Sequence, residues 1–265
     1  MARIHPSAIV DTKARLADDV DIGAFAMIGP QVEIGAQCVI HPYAQVIGHT
    51  RLGRANVIHS HCVIGGPPQD KKYKGEPTRL EVGDHNVFRE SCTVNTGTVQ
   101  DVGVTRVGNH NWIMAYVHIA HDCQVGSHTI MANATQLAGH VVVGDWAILG
   151  GITGVHQFVK IGAHAMTGAG TTLLQDLPPY VMATGNPASA HGINTEGLRR
   201  RGFTETQIAS LRKAYKLVYK SGSTLASALE QLGDPLSTGA TSDADAAAIA
   251  LFSDFLAAST RGIVR

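Results

Sequence analysis

A chain of 265 residues with 21 basic and 21 acidic side chains carries no net charge, so nothing in the bulk draws it to nucleic acid or an anionic membrane. No apolar run reaches the length of a membrane span, and the opening MARIHPSAIV lacks the apolar stretch of a secretory signal. Four scattered cysteines without a CxxC pair fit neither a disulfide framework nor a zinc knuckle, which leaves a soluble, cytoplasmic protein as the expectation.

The first elements follow a step of six. From Ile4 it lands on Val10, Leu16, Ile22, Ile28, Ile34, Ile40, Val46, Leu52, Ile58 and Ile64. It resumes at Val82, Phe88 and Val94, slips by one, and runs from Val107 through Ile113, Ile119, Val125, Met131, Leu137, Val143, Leu149 and Val155 to Ile161. The residue two before is mostly small, and the residue after is often glycine. A period of six is neither helix nor plain strand. It fits a short strand plus a turn, three of which close one 18-residue triangular coil of a parallel β-helix. The aliphatic points inward, the small residue fills the interior, and glycine is expected to turn the corner. Cys38, Cys62, Cys92 and Cys123 all fall on the small inward position, where a free thiol serves as a small apolar filler. The pattern resembles the hexapeptide-repeat acyltransferases, and that resemblance implies a left-handed helix.

Two segments interrupt the repeat. GGPPQDKKYKGEPTR (65–79) is Pro-rich and charged and reads as a protruding loop; GTVQDVGVTR (97–106) is a shorter excursion that shifts the phase. After QDLPP (175–179) the repeat ends. TETQ (204–207) is a capping box, with Ile208, Leu211, Tyr215, Val218 and Tyr219 on one helical face. Helices near 224–232 and 242–258 follow. The expected organisation is mainly β: a left-handed parallel β-helix over 1–187, then a small α-helical domain over 188–265.

Residues 18 apart should stack on one face. His121, Gly139 and Gln157 form such a column, flanked by Ala120, Ala138 and His156 and by Asp122, His140 and Phe158, with His118 half a repeat earlier. A lone outward histidine, such as His128 or His164, reads as an ordinary face residue. His121 differs because a residue without a side chain stands above it and a carboxylate beside it. Asp122 has two readings, as a partner of His121 or as a hydrogen bonder of its own turn. A bare Gly139 lets a ligand approach the main-chain N–H, and an N–H beside a general base is what an oxyanion hole needs. This suggests acyl transfer to a hydroxyl: His121 takes the proton, Gly139 N–H meets the developing charge, and a thioester donor requires no covalent intermediate.

HIAHDC (118–123), LAGH (137–140), GITGVHQF (151–158), QDKKYKGEPTR (69–79), NTEGLRRRGF (194–203) and the closing STRGIVR are similar, in order and nearly end to end, to the UDP-N-acetylglucosamine O-acyltransferases of lipid A biosynthesis. The resemblance implies transfer of a 3-hydroxyacyl chain from acyl carrier protein to the 3-hydroxyl of UDP-N-acetylglucosamine. It implies His121 as base, the oxyanion N–H on Gly139, and substrate contacts at His118, His140, His156 and Gln157. Asp70 and Lys72 come from the first loop, and Asn194, Glu196, Arg200 and Arg201 surround the nucleotide and its phosphates. It further implies a homotrimer with sites between neighbouring prisms, no metal and no bound cofactor. Basic residues of the tail also suit an acidic carrier protein. One departure is Thr96, in TVNTGT (93–98), where members often carry a basic residue. Met166, Ala169 and Leu173 are candidates to set acyl chain length. The rival readings are a hexapeptide transferase with acetyl-CoA or an amine acceptor, a zinc hydratase on the same prism, and a non-catalytic scaffold.

Overall fold

The computed structural model describes residues 2–265. Short parallel strands, most of two residues, stack into three sheets of 11, 9 and 8 strands. We call these face 1 (with Asp21–Ile22 and Ile130–Met131), face 2 (with Met27–Ile28 and His118–Ile119) and face 3 (with Glu33–Ile34 and Gln124–Val125). Successive coils pair in register, as in His118↔Gln136↔Gly154 on face 2. The prism is a left-handed parallel β-helix.

The six-step residues form its core. Ile22, Ile58, Ile64, Ile113, Ile119, Met131, Leu137 and Leu149 are all at most 1% exposed. Each aliphatic side chain so buried contributes about 1.5–3 kcal/mol. The first coil is the exception, with Ile4 42% exposed, because no coil lies beneath it. The four cysteines are free and buried at the small inward position. Where that position carries Asn56, Asn86 and Asn111, the amides bond one another and neighbouring carbonyls up the stack, so buried polar groups are satisfied.

Apart from Gly65, which itself takes a positive φ of 84°, the repeat glycines do a different task from the one expected. The residues that turn the corners with positive φ stand two places after them: Phe25, Gln37, His85, His110, His128, Trp146 and His164 lie between +57° and +63°. The glycines themselves are needed because coils approach closely. A Cβ at Gly35 would stand 2.6 Å from the Gly53 carbonyl oxygen, and one at Gly150 2.5 Å from the Gly168 carbonyl carbon. The left-handed conformation is unfavourable for a residue with a Cβ, and stacking of these side chains, coil on coil, offsets it.

Above the prism, Val181–Thr184 pairs antiparallel with Ser189–Ile193, and five helices follow. They are α1 (Thr195–Arg200), α2 (Glu205–Tyr219), α3 (Leu225–Leu232), α4 (Pro235–Thr238) and α5 (Asp243–Ala257). The capping box at Thr204 and Gln207 is present, and Ile208, Leu211, Tyr215 and Val218 are buried. α3 and α5 lie where helices near 224–232 and 242–258 are expected, and the structure shows Thr224 and Ser242 as their N-caps; α1 and α4 are additional short turns of helix. Leu177, Tyr180, Leu198 and Val264 close the upper end of the core. No helix among the described residues is long and apolar enough to cross a membrane.

Candidate active site

The corner between faces 2 and 3 carries the histidine cluster. Past the inward Ile119 and Leu137, the chain turns through His121-Asp122 and Gly139-His140, with Asp122 (φ 59°) and His140 (φ 63°) as the left-handed residues. The coils are locked in step here: His140 N–H donates to the His121 carbonyl at 3.0 Å, and Phe158 N–H to the Gly139 carbonyl at 3.1 Å. No bulge separates them, so the 18-residue column of His121, Gly139 and Gln157 is present.

His121 Nδ1 lies 2.9 Å from Asp122 Oδ2. The Asp122 side chain is wholly buried and that of His121 15% exposed. Asp122 also accepts from Thr98 N–H, at 3.0 Å to each oxygen, and from the Thr98 hydroxyl at 2.7 Å, while its own N–H donates to Thr105 Oγ1 at 2.8 Å. Burial opposes its ionisation, yet the bonds from His121 and Thr98 outweigh that, and the carboxyl titrates below the ordinary aspartate value. An ionised Asp122 accepts a proton-bearing Nδ1, which leaves Nε2 of His121 as the free basic atom. Both readings of Asp122 therefore hold: it pairs with His121 and anchors a turn.

Gly139 is buried beneath the His121 ring. A Cβ there would stand 2.6 Å from Cε1 and 2.7 Å from Nε2 of His121. The room released by the missing side chain is taken by the imidazole, and the Gly139 N–H has no hydrogen-bond partner among the described residues. His140 stacks on Phe158 (4.3 Å, 9°) and meets His121 edge-on (5.0 Å, 89°). Its Nδ1 lies 2.6 Å from Asp101 Oδ2. His118 Nδ1 is 2.7 Å from Thr93 Oγ1, and burial, with the His121 charge nearby, lowers its basicity. His156 and Gln157 are exposed on the next coil, with His156 Nδ1 3.3 Å from Arg261 of the tail.

Ligand atoms of His121, Asp122 and His140 all lie within 4.8 Å of one another, a donor set that a small metal ion also accepts. In this arrangement Asp122 Oδ2 already takes bonds from His121 and Thr98, and His140 Nδ1 is engaged with Asp101. Hydrogen bonds thus account for the convergence of these atoms.

The first loop leaves the same corner. Asp70 folds back on the Lys72 N–H at 2.9 Å, and Lys72 is exposed. Thr96 is buried under this loop: its N–H donates to Gly66 and its hydroxyl meets Thr78 at 3.3 Å. Thr96 thus helps to hold the base of the loop.

The remaining predicted residues lie elsewhere on the chain. Asn194 is the N-cap of α1, accepting from Gly197 N–H at 3.1 Å and donating to the His164 carbonyl at 3.3 Å. Glu196 pairs with Arg200 at 3.1 Å. The Arg201 guanidinium lies 5.5 Å over the Trp146 ring and 3.2 Å from His164 Nδ1. With Met166 and Met182 these residues line a cavity of about 730 Å³ against face 1. Leu173 is fully buried in the prism core, so it cannot bound an acyl chain outside it, whereas Met166 lines this cavity and Ala169 is exposed. Sequence reasoning did not single out Thr98, Asp101, Thr105 or Arg261. The phase slip at 97–106 and the STRGIVR motif marked where to look, but nothing in them says which side chain reaches the corner.

Comparisons with known proteins agree along the whole chain. Residues 176–264 match the family described as "Udp N-acetylglucosamine O-acyltransferase; Domain 2", and residues 31–66 and 105–139 match the bacterial transferase hexapeptide family. The chain is 57% identical over 265 residues to the acyl-(acyl-carrier-protein)–UDP-N-acetylglucosamine O-acyltransferase of Thiobacillus denitrificans, covering 100% of each. Among solved structures it is similar to LpxA from Acinetobacter baumannii (47% identity, TM-score 0.93) and to the UDP-N-acetylglucosamine O-acyltransferase of Moraxella catarrhalis (44%, TM-score 0.94), with 99% of each chain covered. Since prism, excursions and helical tail are all shared at this identity, the chain belongs to the UDP-N-acetylglucosamine O-acyltransferase family.

Proposed function

We propose that this protein transfers a 3-hydroxyacyl chain from acyl carrier protein to the 3-hydroxyl of UDP-N-acetylglucosamine, the first step of lipid A biosynthesis, with His121 as general base. The observation that carries the reading is the His121–Asp122 pair lying directly against Gly139. Asp122 keeps the Nδ1 proton in place, and Nε2 removes the proton of the attacking hydroxyl. The sugar oxygen bonds to the thioester carbonyl carbon, and the oxyanion faces the Gly139 N–H. As the C–S bond breaks, the His121 imidazolium returns its proton to the leaving thiolate. The thioester is already activated, so two steps through one imidazole suffice.

Around this pair, His118, His140, His156 and Gln157 supply polar contacts to the sugar and the acyl carbonyl, and Asp70 and Lys72 reach in from the loop. Asn194, Glu196, Arg200 and Arg201 bind the nucleotide, the guanidiniums suiting its phosphates. In one chain these two groups sit apart, one at the corner between faces 2 and 3 and the other against face 1. The reading includes a homotrimer, in which a neighbouring prism would bring its second group against the first. Catalysis then takes place in a cleft between prisms, in the cytoplasm, where the carrier-protein donor is available.

The test is an assay with UDP-N-acetylglucosamine and 3-hydroxyacyl carrier proteins of several chain lengths. His121→Ala is expected to cut kcat by about 10²–10⁴ while the melting temperature stays put. Retained turnover in that variant, or stoichiometric zinc whose chelation abolishes transfer, would overturn the assignment.

A further inference from the structure

Asp101 lies on the second excursion, 39 residues from His140 in sequence, yet its carboxylate meets His140 Nδ1 at 2.6 Å. Besides its edge-on meeting with His121, two features orient the His140 ring. It stacks on Phe158 at 4.3 Å, and its backbone sits in the left-handed turn at φ 63°. Both set the plane of the imidazole. Neither distinguishes one ring flip from the other, since the two flips share one outline. A carboxylate at hydrogen-bond distance does distinguish them, because it demands the nitrogen that bears the proton.

A second carboxylate competes for that nitrogen. Asp122 Oδ2 lies 4.0 Å from His140 Nδ1 and 2.9 Å from His121 Nδ1. Were His140 to turn to Asp122, the oxygen that orients the base would be shared. The excursion settles this with two anchors, both on the catalytic corner. Thr98, buried, saturates Asp122 from one side; Asp101 draws His140 to the other. The tip that carries Asp101 is exposed, with Val99 at 54% and Val102 at 58%, so apolar packing does not hold the carboxylate there, although Val104 and Thr105 behind it are buried. A half-exposed ion pair is worth little to stability.

We propose that Asp101 is a positioning residue for catalysis: it gives His140 a carboxylate of its own, presents His140 Nε2 to the acceptor sugar, and reserves Asp122 for His121. This rests on the reading of His121 as base and deepens it. Each imidazole of the corner then has one carboxylate, and one excursion delivers both the brace for the first and the partner for the second.

The experiment is steady-state kinetics of the full-length enzyme, with UDP-N-acetylglucosamine varied at saturating 3-hydroxyacyl carrier protein, on Asp101→Ala, Asp101→Asn, His140→Ala and the Asp101→Ala/His140→Ala double variant. Asp101→Ala is expected to raise KM for the sugar nucleotide by about tenfold, the order for one lost charge-assisted hydrogen bond, and to lower kcat by less. Asp101→Asn, which keeps an acceptor oxygen, recovers part of the loss. In the His140→Ala background the Asp101→Ala change has no further effect, since its only route is through that ring. Unchanged kinetics in Asp101→Ala, or losses that multiply independently of His140, would overturn the proposal. If Asp101→Ala melts early, Asp101→Asn carries the same cycle. His121→Ala is run beside them: its loss of turnover with an indifferent Asp101 sinks only the positioning role, whereas its retained turnover sinks the base itself.

Discussion

Two corners of the prism are built on the same turn and put to different use. Between faces 3 and 1, His85, His110, His128, Trp146 and His164 occupy the left-handed position and stack ring on ring at 4.8, 4.9, 4.1 and 6.4 Å. Among the described residues none of these histidines pairs with a carboxylate. Beneath them the Asn56, Asn86 and Asn111 ladder consumes its own hydrogen-bonding capacity. Between faces 2 and 3, the ladder is broken. Asp122, His140 and Phe158 hold the left-handed position there, and in the column beside it Gly139 leaves one rung unfilled, His121 swings into the room, and two carboxylates arrive, one from the turn and one from an excursion. The lesson is that histidine at a turn is not a site. A site needs an unfilled rung and a charge brought from outside the repeat.

Variants can break or sharpen that contrast. The largest effect is expected from filling the rung. Gly139→Val places a branched side chain where a Cβ already falls 2.7 Å from His121 Nε2, so the ring must leave Asp122. Turnover should drop by about 10² or more with the prism still folded, read as kcat against melting temperature; turnover near that of the parent would mean the ring is not needed in this place. A moderate effect concerns pH. Burial, with the Arg201 charge adding, holds His164 at about 4, well below the ordinary 6.5, while Asp145 opposes weakly. The unfolded chain therefore binds a proton in this interval that the native state refuses. The contribution of His164 to stability is complete above pH 6.5 and is lost as pH falls toward 4. Denaturant midpoints at pH 7 and pH 4.5 should differ less in His164→Gln than in the parent chain. The smallest effect is His110→Ala, which removes one ring from the other ladder. Stability should fall by about 1 kcal/mol while kcat/KM stays within about twofold. A large loss of activity there would erase the distinction between the corners.

The sequence made the column of His121, Gly139 and Gln157 legible because a repeat of fixed length converts sequence distance into vertical position. It did not disclose why Gly139 is bare, since the ring that needs the room belongs to a different coil. It placed Asp122 beside His121 but could not tell a partner from a turn former, because a left-handed residue aims its side chain in a way that alternation does not predict. Leu173 shows the opposite error: chosen as a groove residue, it falls on the inward step and is core. Asp101 and Thr98 stayed hidden because an excursion has no period.

By itself, then, the sequence determined the triangular coil, its interruptions and the helical tail. Apolar burial at a constant interval sets the length of one coil, and a capping box marks where a helix begins. Only the tertiary structure decided which carboxylate serves which imidazole, because that depends on where an irregular segment lands after the regular coils have set the distances. The regular part obeys a local rule repeated many times. The chemistry lies where that rule is suspended, and contacts across 24 and 39 residues take over from spacing.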